Sequence, residues 1–131
     1  MKKGEFMGYY TNYKLELIGE NRSSLLAATK AAEKMIESLD GIEFLGSDIP
    51  VRSGIYWYGK YFDVGAGEKE IISLSKDYPD VLFQVTGDGE DSDDFWREYI
   101  QNGKAGWTPG VISYEPFGQV EMEDYKGGDE T

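Results

Sequence analysis

The sequence predicts an α+β fold in which two helices cover one face of an antiparallel sheet that ends in a β-meander. Three observations carry that expectation. Short runs rich in Tyr, Thr and β-branched residues alternate in polarity, a stretch over 24–39 places apolar residues at three-and-four spacing, and an Asn-Gly pair separates two strand-like runs near the C-terminal end. At 131 residues the chain has the length of one domain. Residues 1–119 are expected to form it, and residues 120–131, poor in apolar side chains and containing Gly127-Gly128, are expected to be an acidic, flexible tail.

Residues 9–18 read as the first strand, bracketed by Gly8 and Gly19. Asn21, Arg22 and Ser23 offer N-cap chemistry for a helix over 24–39, whose face is Leu25, Ala28, Ala32, Met35, Ile36 and Leu39, with Gly41 as its stop. Residues 42–45 form a short strand, and 46–54, with Ser47, Asp48 and Pro50, form a loop. The aromatic run 55–64 reads as a central strand, with Tyr56, Tyr58 and Phe62 on one face and Ile55, Trp57 and Tyr61 on the other. A turn at 65–67 leads into a helix over 68–77 that buries Ile71, Ile72 and Leu74 and stops before Pro79. Residues 81–86 form the next strand, with Val81, Phe83 and Val85 inward. Residues 94–101 fit either a helical stripe or a strand, and the Asn102-Gly103 pair favours a hairpin of strands 94–101 and 104–108. Thr108-Pro109-Gly110 reads as a turn before a last strand at 111–114. This order is the split βαβ pattern of a ferredoxin-like sandwich, extended by the meander.

Charge excludes more than it identifies. With 13 basic and 25 acidic residues the net charge is −12, which disfavours direct contact with nucleic-acid phosphates or an anionic membrane. Cys and His are absent, which removes disulfides, thiolate metal sites, thiol nucleophiles and imidazole bases. Residues 1–8 hold no apolar run of signal-peptide length, and no stretch approaches the roughly 18 apolar residues of a membrane span. A soluble protein that stays where it is made is the expectation.

The charge is concentrated. Residues 88–98 hold Asp88, Glu90, Asp91, Asp93, Asp94 and Glu98 against Arg97 alone. A calcium loop starting at Asp88 would need a glycine where Asp93 stands and a bidentate acid where Tyr99 stands, so that pattern fails. Gly65-Ala66-Gly67 sits where a phosphate loop would, but the third glycine is missing and Asp63, Glu68 and Glu70 repel phosphate. No pair of carboxylates stands out for acid–base catalysis, and Gly59-Lys60-Tyr61-Phe62 lacks the basic surroundings of an RNA-binding sheet. Catalysis, metals and cofactors are therefore not expected. Tyrosines beside acids do suit a protein-binding patch.

Trp57, the run Leu74-Ser75-Lys76-Asp77-Tyr78-Pro79-Asp80-Val81-Leu82-Phe83, Gly87-Asp88-Gly89-Glu90 and Asn102-Gly103-Lys104 together resemble small ferredoxin-like proteins of phages and other mobile elements, the YubB-type domain. The resemblance spans residues 57–104 and implies the strand-helix-strand-hairpin order, with 94–101 as a strand. It also implies a mobile-element origin, a setting in which small acidic proteins often disable host defence machinery. The expected function is thus an inhibitor of a host defence nuclease, of the anti-CRISPR or anti-restriction type, acting in the host cytoplasm. Its acidic surface would mimic DNA against the basic nucleic-acid-binding surface of a host protein such as a CRISPR effector or restriction enzyme. Expected partner contacts are Asp88, Glu90, Asp91, Asp93, Asp94 and Glu98 with Tyr56, Tyr58 and Tyr61. The rival expectation is a non-inhibitory small-ligand-binding or assembly module of a mobile element.

Overall fold

A chain with alternating strands and helical stripes has to bury both sets of apolar side chains against one another. The computed structural model describes residues 10–48, 54–91 and 93–124. They form six antiparallel strands and two α-helices, in the order β1 (Thr11–Ile18), α1 (Arg22–Glu37), β2 (Glu43–Ser47), β3 (Gly54–Gly59), α2 (Glu68–Ser75), β4 (Leu82–Asp88), β5 (Phe95–Gln101) and β6 (Lys104–Pro109). The spatial order is β2-β3-β1-β4-β5-β6. β1 is therefore interior, antiparallel to β3 on one side and to β4 on the other. Among the described residues no helix is long and apolar enough to cross a membrane.

The period-two pattern decides what β1 buries: Thr11, Tyr13, Leu15 and Leu17 are buried and the residues between them are not. Tyr13 lies opposite Trp57, Leu15 opposite Ile55 and Val85, and Leu17 opposite Phe83. These side chains share one core with Ala28, Ala32 and Ile36 of α1 and Ile71 of α2. The start of α1 is capped as its sequence suggests, with the Asn21 side chain accepting from the Ser24 backbone N–H at 2.9 Å.

Asn102 and Gly103 take φ of 51° and 79°, the left-handed pair of a two-residue hairpin, and β5 and β6 pair from Gln101 opposite Lys104 onward. The strand reading of residues 94–101 thus holds. The turn is also tied down, since the Gly103 N–H donates to Ser75 Oγ at 2.8 Å and that hydroxyl donates to the Ile72 carbonyl. Gly103→Val should cost about 1–2 kcal/mol through the left-handed backbone alone, because the side chain it would meet is the flexible end of Lys76. Denaturant midpoints of parent and variant test this, and equal midpoints would contradict the turn geometry.

Several boundaries differ from expectation, each for a local reason. The strand expected over 55–64 ends at Gly59, and Phe62–Val64 form a 3-10 turn. The break resets the side-chain alternation, so Phe62 is buried against Tyr13 and Trp96 instead of sharing a face with Tyr56 and Tyr58. Gly46 and Ser47 belong to β2 and Gly54 to β3, with a bulge between Phe44 and Gly46 that the loop reading over 46–54 did not anticipate. Residues 49–53 of that loop lie outside the described residues. α2 ends at Ser75, two residues before Asp77. Pro109 is not in a turn but pairs with Trp96. Residues 111–114 form no strand: the Gly110 N–H donates to the carbonyl of Phe95, the first residue of β5, and among the described residues no strand pairs with them. Of the expected tail, residues 120–124 are exposed, and residues 125–131 lie outside the described residues.

Candidate functional site

The antiparallel registers bring one group of expected contact residues to a single end of the sheet. Asn12 of β1 faces Tyr58 of β3 on one side and Asp88 of β4 on the other, and Asp88 faces Phe95 at the start of β5. The turn from β4 to β5 carries Glu90, Asp91, Asp93 and Asp94, closed by the Gly89 N–H donating to the Asp94 carbonyl and the Asp94 N–H donating to the Asp91 carbonyl. Glu90 reaches back across the sheet end, where its carboxylate accepts from the Tyr10 backbone N–H at 2.6 Å. The Tyr10 ring stacks on Tyr58, with centroids 5.1 Å apart and planes within 15°. Carboxylates and stacked tyrosines thus meet at one place. Asp88, Glu90, Asp91 and Asp93 are exposed and Asp94 is partly so.

Tyr56, Tyr61 and Glu98 are placed elsewhere. Tyr56 lies two residues back along β3, where its hydroxyl donates to Asp48 at 3.2 Å and Lys14 Nζ sits 5.9 Å from its ring centroid. Lys14 also pairs with Glu16 at 3.4 Å. Tyr61 follows β3 and lines a cleft. Glu98 corrects the expectation that it belongs to the acidic surface. It is 6% exposed, because alternation along β5 places it with Trp96 and Ile100 rather than with Arg97 and Tyr99.

That cleft is the feature the sequence reading missed. It has a volume of about 480 Å³ and lies between the 3-10 turn, the first turn of α2, and strands β5 and β6. Its walls are Tyr61, Phe62, Trp96, Ala105 and Trp107, with Asp63, Glu68 and Glu98 as the polar groups. Gly87 makes part of this arrangement possible, since it lies opposite Trp96 and a Cβ there would collide with the indole ring. Trp96 in turn leans on Phe62 and Tyr13, and Tyr13 stacks on Trp57.

Inside the cleft, burial pushes the Glu98 carboxyl up to about 8, helped by its hydrogen bond with Glu68 and by the negative charges of Glu68 and Asp63. At neutral pH the Glu98 carboxyl is therefore held in its protonated form beside Glu68. Among the described residues no three acidic side chains are arranged to hold a metal ion.

No protein-family model, curated protein or solved structure matches the chain.

Proposed function

We propose that the protein is a protein-binding inhibitor that meets a basic, nucleic-acid-handling surface with the acidic end of its sheet. The observation that supports this reading is the gathering of Asp88, Glu90, Asp91, Asp93 and Asp94 in one turn beside the stacked Tyr10 and Tyr58. Carboxylates held within about one Debye length of 8 Å reinforce one another's field and can take the place of phosphates against Lys and Arg. The tyrosines add amphipathic contact area beside them. In the mobile-element setting that the YubB-type resemblance implies, the partner is a host defence nuclease, a CRISPR effector or restriction enzyme, in the host cytoplasm. The scaffold in this reading is a ferredoxin-like split βαβ sandwich: its first four strands lie in the order 2-3-1-4, the β5–β6 hairpin extends the sheet past β4, and both helices sit on the face that buries Leu15 and Val85.

The experiment is affinity capture from host lysate, identification of the captured protein by mass spectrometry, and measurement of its binding to the parent and to a variant with Asp88, Asp91, Asp93 and Asp94 changed to Asn and Glu90 to Gln. The expected partner is a nuclease or its nucleoprotein complex, bound in competition with duplex DNA and less tightly as salt rises. Neutralisation should weaken binding roughly tenfold or more at low salt while leaving the free protein as stable or slightly more so, because self-repulsion is removed. Equal binding by the variant at every salt concentration would sink the phosphate-mimic reading. A second reading, a small-ligand module, is favoured by the cleft around Glu98.

A further inference from the structure

The cleft has the lining of a cation site, and the described residues that line it include no Lys or Arg. Glu98 is 94% buried as a residue, its side chain faces the cleft, and the hydrogen-bond partner it has there is another carboxyl, Glu68. Strands β4 and β6 place Val85 and Trp107 opposite Glu98, so neither flanking strand brings a charged side chain across from it. α2 contributes Glu68 and the 3-10 turn contributes Asp63, both negative, and Tyr61 adds its phenol ring. Among the described residues Glu98 makes no ion pair with Lys or Arg. Against this acidic floor stand the Trp96 and Trp107 rings, and Trp107 is 59% exposed on the edge strand, an uncommon position for so large an apolar surface unless something covers it.

We propose that this cleft binds a guanidinium group, held edge-on by the Glu98 and Glu68 carboxylates and covered on its face by the Trp107 indole. A planar guanidinium offers paired N–H donors to carboxylates and a flat, weakly hydrated face to an aromatic ring, whereas an ammonium group offers only the first. Indole is also the side chain with the strongest attraction for a cation over its face. The site stands apart from the acidic end of the sheet, so it does not depend on the inhibitor reading.

Chemistry dictates a second property. With the cleft empty Glu98 holds a proton, and a bound guanidinium replaces that proton as the group neutralising the carboxyl pair. Binding therefore releases up to one proton, and affinity rises with pH by at most about tenfold per unit until Glu98 ionises unaided near pH 8, then levels off.

The test uses the full chain and ethylguanidinium as probe, followed by titration calorimetry in buffers of different ionisation heat and by tryptophan fluorescence. Saturable binding on the order of 1 mM is expected for so small a fragment, with proton release at neutral pH and a tightening of roughly ten- to fiftyfold from about pH 6 to about pH 8. Neutral ethylurea should not bind. Glu98→Gln should weaken binding roughly tenfold and remove both the proton release and the pH dependence. Trp107→Ala, at an exposed edge position that the core does not need, should weaken binding with the pH dependence intact, and it serves if Glu98→Gln does not fold.

A blocked arginine, N-acetyl-arginine N-methylamide, separates the two sources of the group. Binding at least as tight as ethylguanidinium assigns the site to an arginine side chain of a partner, and rejection of it while ethylguanidinium is held assigns the site to a free small molecule. Absence of saturable binding by both guanidinium probes overturns the proposal. So does equal binding of ethylurea, or binding that is independent of pH and unchanged in both variants.

Discussion

Trp57→Ala is expected to remove about 3–5 kcal/mol, a large share of the roughly 5–15 kcal/mol that holds a domain of this size folded. The indole is fully buried in β3 and stacks on Tyr13, with ring centroids 5.3 Å apart. Its Nε1–H donates to the Ala66 carbonyl at 2.8 Å, which fixes the segment leading into α2. Truncation leaves a void the size of the ring system and strips that carbonyl of its donor. Trp57→Phe separates the two effects, since it keeps an aromatic ring while losing the N–H, and its smaller loss combines a reduced void with the missing hydrogen bond. Urea denaturation of all three proteins provides the measurement. A loss below about 1 kcal/mol for the alanine variant would show that β3 does not carry the core in the way described.

Glu98→Gln should change how stability depends on pH. In the folded protein Glu98 keeps its proton to about pH 8, whereas its ordinary value is 4.5. Between those values the folded state binds more protons than the unfolded state, so the contribution of this group is complete below about pH 4.5, falls as pH rises and is exhausted above about pH 8. At about 1.4 kcal/mol per pH unit the full conversion is larger, but solvent at the mouth of the cleft screens the site, and a fall of about 3 kcal/mol is expected. The glutamine variant cannot ionise and should lack this fall, ending more stable than the parent at about pH 8–9. Thermal or denaturant unfolding across that range checks it. Parallel pH profiles for the two proteins would contradict the protonated Glu98.

The sheet was legible in the sequence wherever one local period governed the outcome. In β1 the alternation of Tyr13, Leu15 and Leu17 with polar neighbours matches the burial observed, and Asn102-Gly103 forms the hairpin turn its left-handed preference requires. Periodicity failed where the chain bends, because a side-chain pattern carries no mark of where a strand stops. After Gly59 the chain leaves the sheet, and Phe62 reaches the core from a turn although its position counted along the strand points outward. For Glu98 a signal was present: its parity with Trp96 and Ile100 places it among apolar residues, yet counting charge grouped it with the acids of the preceding turn. Nothing local announces Glu68 as its partner, since that contact is made between α2 and β5 across thirty positions of chain. The acidic cluster itself needed no such contact, as its members are neighbours in sequence, but its meeting with Tyr10 and Tyr58 depends on strand register.

The interior place of β1 sets the order in which the molecule can be assembled. β1 precedes both strands that flank it, β3 and β4, and its ladder with β4 closes only when Asn12 meets Asp88 and Ile18 meets Leu82. Until β4 has left the ribosome, one edge of β1 has no partner, and the nascent chain carries an open row of backbone donors and acceptors beside Leu15 and Leu17. Such distant pairing slows folding relative to a chain of local hairpins, because loop closure must be met before the contacts reward it. The β5–β6 hairpin is the opposite case, local and fast, but it has nothing to dock on until the β1–β4 pair exists. Vulnerability to aggregation is thus greatest during synthesis, in the interval between the emergence of α1 and the emergence of β4.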